Sequence, residues 1–190
     1  MEVRKVASTT KEALGAALRQ MMTVKPIDKI TVKDLVEICG VNRQTFYYHF
    51  DDVYDLLEWV FEDDANRVLP RKVVYEHWRE DVMVFFEYLY ENRIFAMNVY
   101  NSNSRLYMLR YFKDCLKSCI RSFAEIVSEG SNIDRADFEF VVEFYAQGVV
   151  GLISQWLDMG MSLPKEITKD RFLRLLDNSV EHMLARCRHN

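Results

Sequence analysis

Apolar residues recur three and four positions apart along almost the whole chain, as helices with one buried face require, and nowhere do they alternate convincingly as strands would. The first stripe, Leu14, Ala17, Leu18, Met21 and Met22, predicts a helix over 10–24 that Pro26 prevents from continuing. Thr31 followed by Asp34 reads as a capping box opening a second helix, whose core face is Val32, Leu35, Val36 and Cys39. Gly40 permits a sharp turn, Asn42 caps a third helix, and Phe46 and Phe50 are its core anchors. A fourth helix over 52–69 stops near Pro70. Asp51 and Asp52 suit its positive N-terminal end, and Leu56, Leu57, Val60 and Phe61 form its stripe. Further helices are expected over 75–91, 94–100, 106–129, 135–159 and 169–188, broken by polar loops at 101–104 and 130–132 and by Gly160 to Pro164. The fold class is all-α.

Two short helices joined at Gly40, the second led by Asn42, Arg43, Gln44 and Thr45, have the layout of a DNA-reading helix-turn-helix. In a major groove, Arg43 can donate a bidentate pair to guanine O6 and N7, and Gln44 can pair with adenine N6 and N7. Thr45 and Tyr47 stand where a hydroxyl reaches a base edge or phosphate, and the Tyr47 ring can pack on a thymine methyl. Tyr48 and His49 are assigned to the phosphate backbone. Thr31 and Lys33 join them at the start of the second helix, where free backbone amides attract anions. The competing reading makes Tyr47, Tyr48 and His49 mere cover for a small core. Phe46 and Phe50 already hold the inward positions, however, and so short a helix cannot also turn two adjacent tyrosines inward.

Composition changes this picture in one respect. The 190 residues are 49% hydrophobic, enough to bury a sizeable core as one domain or as a small domain fused to a larger one. The net charge of -4 looks wrong for a DNA binder. Residues 1–50, however, carry eight Lys or Arg against five Asp or Glu, net +3, leaving 17 against 24, net -7, for the remainder. The acidity therefore argues only against the body touching DNA. Cys39, Cys115, Cys119 and Cys187 form no CxxC pair and read as buried free thiols. With no leader and no apolar run of roughly 18 residues, a cytoplasmic protein without membrane attachment is expected. A Gly-rich phosphate loop, HExxH, GxSxG and paired metal ligands are all missing from the sequence, and His77, His182 and His189 have no evident partners. An enzyme carrying a helix-turn-helix appendage is thus the least favoured class, and no cofactor or metal is expected.

The stretch TVKDLVEICGVNRQTFYYHFDDVYDLL, with its flanks from residue 10 to residue 69, resembles the tetracycline-repressor-like (TetR/AcrR) transcriptional regulators. FYYHFDDVYDLLEW and QGVVGLISQWLDMGM are similar to the branch containing activators of dihydroxyacetone kinase operons. The resemblance implies a DNA-binding domain over 1–52 and a helical effector-binding and dimerisation domain over 53–190. It also implies a homodimer through a four-helix bundle of the last two long helices. Candidate interface residues are Val142, Tyr145, Val149, Leu152 and Trp156, with Phe172, Leu176, Val180 and Met183, while Gly148 and Gly151 allow close approach. Burial within one subunit is the competing reading, which periodicity alone does not exclude.

The aromatic middle helices correspond to the family's inducer pocket, with Phe86, Tyr90, Tyr107, Tyr111 and Trp156 as candidate lining; core packing is the competing reading for each. The expected regulator docks two heads in successive major grooves of a near-palindromic operator, on the order of 34–36 Å apart, and responds to a small-molecule effector. A coupling of about 1–3 kcal/mol between the sites suffices for regulation. The alternative is an activator controlled by a protein coactivator, as the dihydroxyacetone kinase branch implies. A small closed aromatic core without a cavity favours that alternative. One departure stands out: many family members carry a phosphate-gripping lysine near the start of the fourth helix, where this chain has Asp51, Asp52 and Val53.

Overall fold

The three-to-four periodicity is realised as helix in a computed structural model of the protein, which describes residues 2–68, 78–162, 165–176 and 178–188. The elements are α1 (Glu2–Met22), a 3-10 turn (Ile27–Lys29), α2 (Val32–Cys39), α3 (Arg43–His49), α4 (Val53–Val68), α5 (Trp78–Glu91), α6 (Arg93–Tyr100), α7 (Arg105–Val127), α8 (Arg135–Asp158), α9 (Lys165–Leu176) and α10 (Ser179–Arg186). Among the described residues the only β feature is an isolated antiparallel bridge between Ile133 and Arg188.

Packing divides the chain into two compact units, 1–68 with 92–105, and 69–91 with 106–190. The division expected at residue 52 therefore does not coincide with the packing: all of α4, and α6 with the loop after it, belong with the head. In this first unit Leu14, Leu18 and Met22 of α1 are buried with Leu35, Phe46, Phe50, Leu56, Leu57 and Val60. Gly15 is what lets α4 lie close to α1, because a Cβ there would stand 2.9 Å from the Trp59 ring and 3.2 Å from Val60. The ring of Phe95 on α6 meets Phe61 at 5.9 Å and lies under the Arg19 guanidinium, which also pairs with Asp64.

The second unit holds α5 and α7 to α10. Phe123, Ala124, Val141, Val142, Val180 and Leu184 form one cluster, and Phe86 contacts Trp156 at 5.5 Å and Phe172 at 4.7 Å. On the α7-facing edge of α8, Arg121 pairs with Glu139 and Lys117 with Glu143, each at 2.6 Å or less. By length and hydropathy α8 is long and apolar enough to cross a membrane, against the expectation of no such run. Its Val142, Ala146, Ile153 and Leu157 are buried in this unit and its glutamates are paired, so it is built as a core helix.

The single helix expected over 169–188 is two. Asn178 adopts φ 55°, in the left-handed region that Asn tolerates better than most residues, and α10 starts afresh after it. The end of α8 was legible: the N–H of Gly160 donates to the Leu157 carbonyl and that of Met161 to Trp156, a Schellman closure with Gly160 at φ 63°. The expected start of α5 at residue 75 lies outside the described residues.

Candidate nucleic-acid interface

Local chemistry positions the head's second and third helices. The Thr31 hydroxyl accepts from the Asp34 N–H at 3.2 Å while the Asp34 carboxylate accepts from the Thr31 N–H at 2.9 Å, the reciprocal box the sequence predicts. Gly40 closes α2 at φ 64°, and its N–H and that of Val41 both donate to the Val36 carbonyl. Asn42 then caps α3, its side-chain oxygen accepting from the Thr45 N–H at 2.8 Å. Phe46 and Phe50 are buried, with rings 5.8 Å apart. They fix α3 about its own axis and leave Arg43, Gln44, Tyr47 and Tyr48 exposed, the two tyrosines at 57% and 78%. A cover for the core would not stand so far into solvent.

Other expected contacts are engaged otherwise. The Thr45 hydroxyl is half-buried and donates to the Asn42 side chain at 3.0 Å, so it serves the cap. At the start of α2 the Thr31 N–H is occupied by Asp34, whose own charge stands where a phosphate was expected to sit. Lys33 lies 3.7 Å from Glu37, an exposed pair worth little that leaves its ammonium available. His49 is half-buried; burial and the nearby Lys11 charge lower its pKa below the ordinary value. Lys11, whose ammonium stands 5.1 Å from the centre of the Phe50 ring, was missed in the sequence. Nothing in its spacing marks it, because only folding brings α1 beside the end of α3.

The aspartates that replace the family's lysine have a local task. Asp52 accepts from the N–H groups of Tyr54 and Asp55 at 2.7 and 2.9 Å, capping α4, and Asp55 accepts from the Asp51 N–H at 2.9 Å. Asp34 is likewise tied, accepting from Lys25 at 2.8 Å. The Lys25 hydrogen bond, then those from Thr31, hold its carboxyl at about 2 against an ordinary 3.8. The folded pKa is depressed, so its stabilisation is complete above pH 3.8 and vanishes as pH falls through about 2. Acid titration followed by circular dichroism should therefore show a loss of stability in that window that Asp34→Asn lacks.

The proposed ligand-lining residues all lie in the second unit. Phe86 and Trp156 are buried against each other, Tyr107 and Tyr111 stack at 6.3 Å as a separate pair, and Tyr90 is exposed. Most of the expected dimer band is covered within the single chain. Val142, Val149, Trp156, Phe172 and Val180 are buried within this one chain, and Tyr145, Leu176 and Met183 are half-buried; of the nine only Leu152 is exposed. What α8 and its C-cap Met159 leave uncovered is a stripe of Phe140, Phe144, Gly148, Gly151, Leu152 and Met159, which shares Leu152 and the two glycines with the expected band, with Phe140 and Phe144 exposed at 74% and 57%. An added Cβ at either glycine meets nothing within 4 Å. Leu152, Gln155, Trp156, Met159, Arg171, Phe172 and Leu175 line a surface groove of about 310 Å³ along the same face.

Cys39, Cys115, Cys119 and Cys187 are free and half-buried, and burial pushes the Cys119 thiol up to about 11. Among the described residues no group of three or more His, Cys, Asp or Glu side chains could hold a metal.

Comparison with known proteins gives the family. A family model for bacterial regulatory proteins of the tetR family matches residues 14–60, and a TetR model for the transcriptional regulator C-terminal region matches residues 76–178. The HTH-type dhaKLM operon transcriptional activator DhaS of Lactococcus lactis subsp. lactis (strain IL1403) is 23% identical over 158 residues, covering 82% of this chain and 83% of the relative. A solved structure of a dihydroxyacetone kinase operon activator DhaS superposes with a TM-score of 0.72 at 18% identity, covering 95% of this chain and 98% of that one, which establishes the shared fold. With both of its regions matched, the chain belongs to the TetR family and is a DNA-binding transcriptional regulator.

Proposed function

We propose that this regulator binds a near-palindromic duplex operator as a homodimer, reading bases with Arg43, Gln44 and Tyr47 and gripping phosphates with Lys33, Tyr48 and His49. The observation that carries the reading is the exposure of Arg43, Gln44, Tyr47 and Tyr48 on a helix whose rotation Phe46 and Phe50 fix. Thr31 and Thr45 serve chiefly to hold that helix pair in shape. Selection of duplexes from a random pool with the purified protein tests it. Arg43→Ala should cost about 1–3 kcal/mol in specific binding and relax preference at one base position. An unchanged selected motif would remove Arg43 from the readers.

The homodimer uses the uncovered α8 stripe. From Phe140 to Met159 it runs roughly 29 Å at a helical rise of ~1.5 Å per residue, with Gly148 and Gly151 near its middle where two helices can cross closely. A single head has too small a footprint for tight specific binding, so the second copy also supplies affinity.

Two readings of control differ on one point. A small-molecule effector needs an enclosed space among the aromatic residues, whereas Phe86 lies in contact with the rings of Phe85, Trp156 and Phe172. That favours control by a protein coactivator. The operon activators among its relatives support an activating role in a cytoplasmic setting.

A further inference from the structure

Pro26 creates a local deficit in backbone hydrogen bonding. The Met22 carbonyl at the end of α1 would ordinarily accept from the N–H four residues on, which is Pro26 and has none. A side chain from far along the sequence supplies the donor. Asn98 of α6 donates from Nδ2 to the Met22 carbonyl and to the Lys25 carbonyl, each at 2.8 Å, and its Oδ1 accepts from the Ile27 N–H at 2.9 Å. Both donors and the acceptor of one amide are thus spent on the link between α1 and the 3-10 turn. No other side chain of that length offers two donors and an acceptor; aspartate would set a carboxylate against two carbonyls.

The link so held leads straight to the reading helices. Lys25, fixed through its carbonyl, sends its ammonium to Asp34, and Asp34 caps α2 against Thr31. α2 passes through Gly40 to α3. On its far side the link is tied again: Asp28 accepts from the Tyr54 hydroxyl at 2.9 Å, at the first turn of α4 that follows the reading helix, and from the Asn103 N–H at 3.4 Å. Phe46 and Phe50 set how α3 is rotated about its axis; the 22–31 link sets where the α2–α3 pair stands on α1.

We propose that Asn98 is a positioning residue for DNA reading: by bridging Met22, Lys25 and Ile27 it fixes the α1–α2 link and, through Lys25 and Asp34, the pose in which α3 presents Arg43 and Gln44. The inference rests on the assignment of α3 as the reading helix. It makes the functional head composite, because residues 14–60, which the family's N-terminal model matches, do not contain the side chain that sets its geometry.

The test uses the full-length protein and the duplex that the wild type itself enriches from a random pool. Asn98→Ala, measured at low temperature where circular dichroism shows it folded, is expected to bind that duplex roughly tenfold or more weakly, three hydrogen bonds of modest individual worth being lost together. Asn98→Asp is expected to be weaker still. Phe95→Leu serves as the control, since it thins the core on the same helix but leaves the three bonds; it should lower the melting temperature and keep wild-type affinity at low temperature. Wild-type affinity in Asn98→Ala overturns the inference, as does an equal affinity loss in a Phe95→Leu protein of matched melting temperature, which would make the effect one of stability alone. A wild-type protein that enriches no duplex overturns the reading-helix assignment and this inference with it.

Discussion

Phe46→Ala is expected to abolish operator binding by unfolding the head rather than by removing a contact to DNA. Phe46 is fully buried, with Tyr47 edge-on at 5.6 Å and Phe50 tilted at 5.8 Å. Truncating such a ring costs about 3–5 kcal/mol, against a total stability of about 5–15 kcal/mol for a typical domain. Thermal melting should show the head unfolding first, and binding to the selected duplex should be lost at temperatures the wild type tolerates. Tyr48→Ala, one turn-face away and 78% exposed, should change stability by only about 0.5 kcal/mol while weakening DNA binding. A Phe46→Ala protein with unaltered melting and affinity would show that α3 is held by something other than its pegs.

Replacing Phe144 and Leu152 together by aspartate is expected to give a folded monomer. Both lie on the uncovered stripe of α8, so the charges enter solvent in the single chain and face each other only across a two-fold contact. Losing the second head removes one half-site, and operator affinity should fall by roughly a thousandfold or more, toward the non-specific level. Sedimentation at micromolar concentration separates the outcomes: a variant that still sediments as a dimer places the interface elsewhere. The buried Trp156 is the wrong position for this experiment. A charge on a side chain 3% exposed breaks the core beneath the groove and reports on folding instead.

The head was legible because its determinants are local. A capping box needs Thr31 and Asp34 three apart, a left-handed turn needs Gly40, and the phase of a short helix follows from two phenylalanines four apart. From these the outward set Arg43, Gln44, Tyr47 and Tyr48 follows without any tertiary information. The two-helix C-terminus was misjudged because nothing in the periodicity of 169–188 registers a single asparagine in the left-handed region. The burial of most of the dimer-band candidates within the single chain was not legible for a plain reason. α8 is apolar on more than one face, so its stripe could not say which face is core and which is open.

What the sequence by itself determined is the all-helical class, the capped α2–α3 pair and the outward residues of α3, since each depends on contacts within one or two turns. Only the tertiary structure decided that Trp156, Phe172 and Val142 belong to the chain's own core while Phe140, Phe144 and Leu152 are left open. It likewise decided that α6 completes the head. A proline's missing donor at one place and an asparagine's amide 72 residues later are complementary only when folding brings them together, because hydrogen bonds between distant segments leave no period in the sequence.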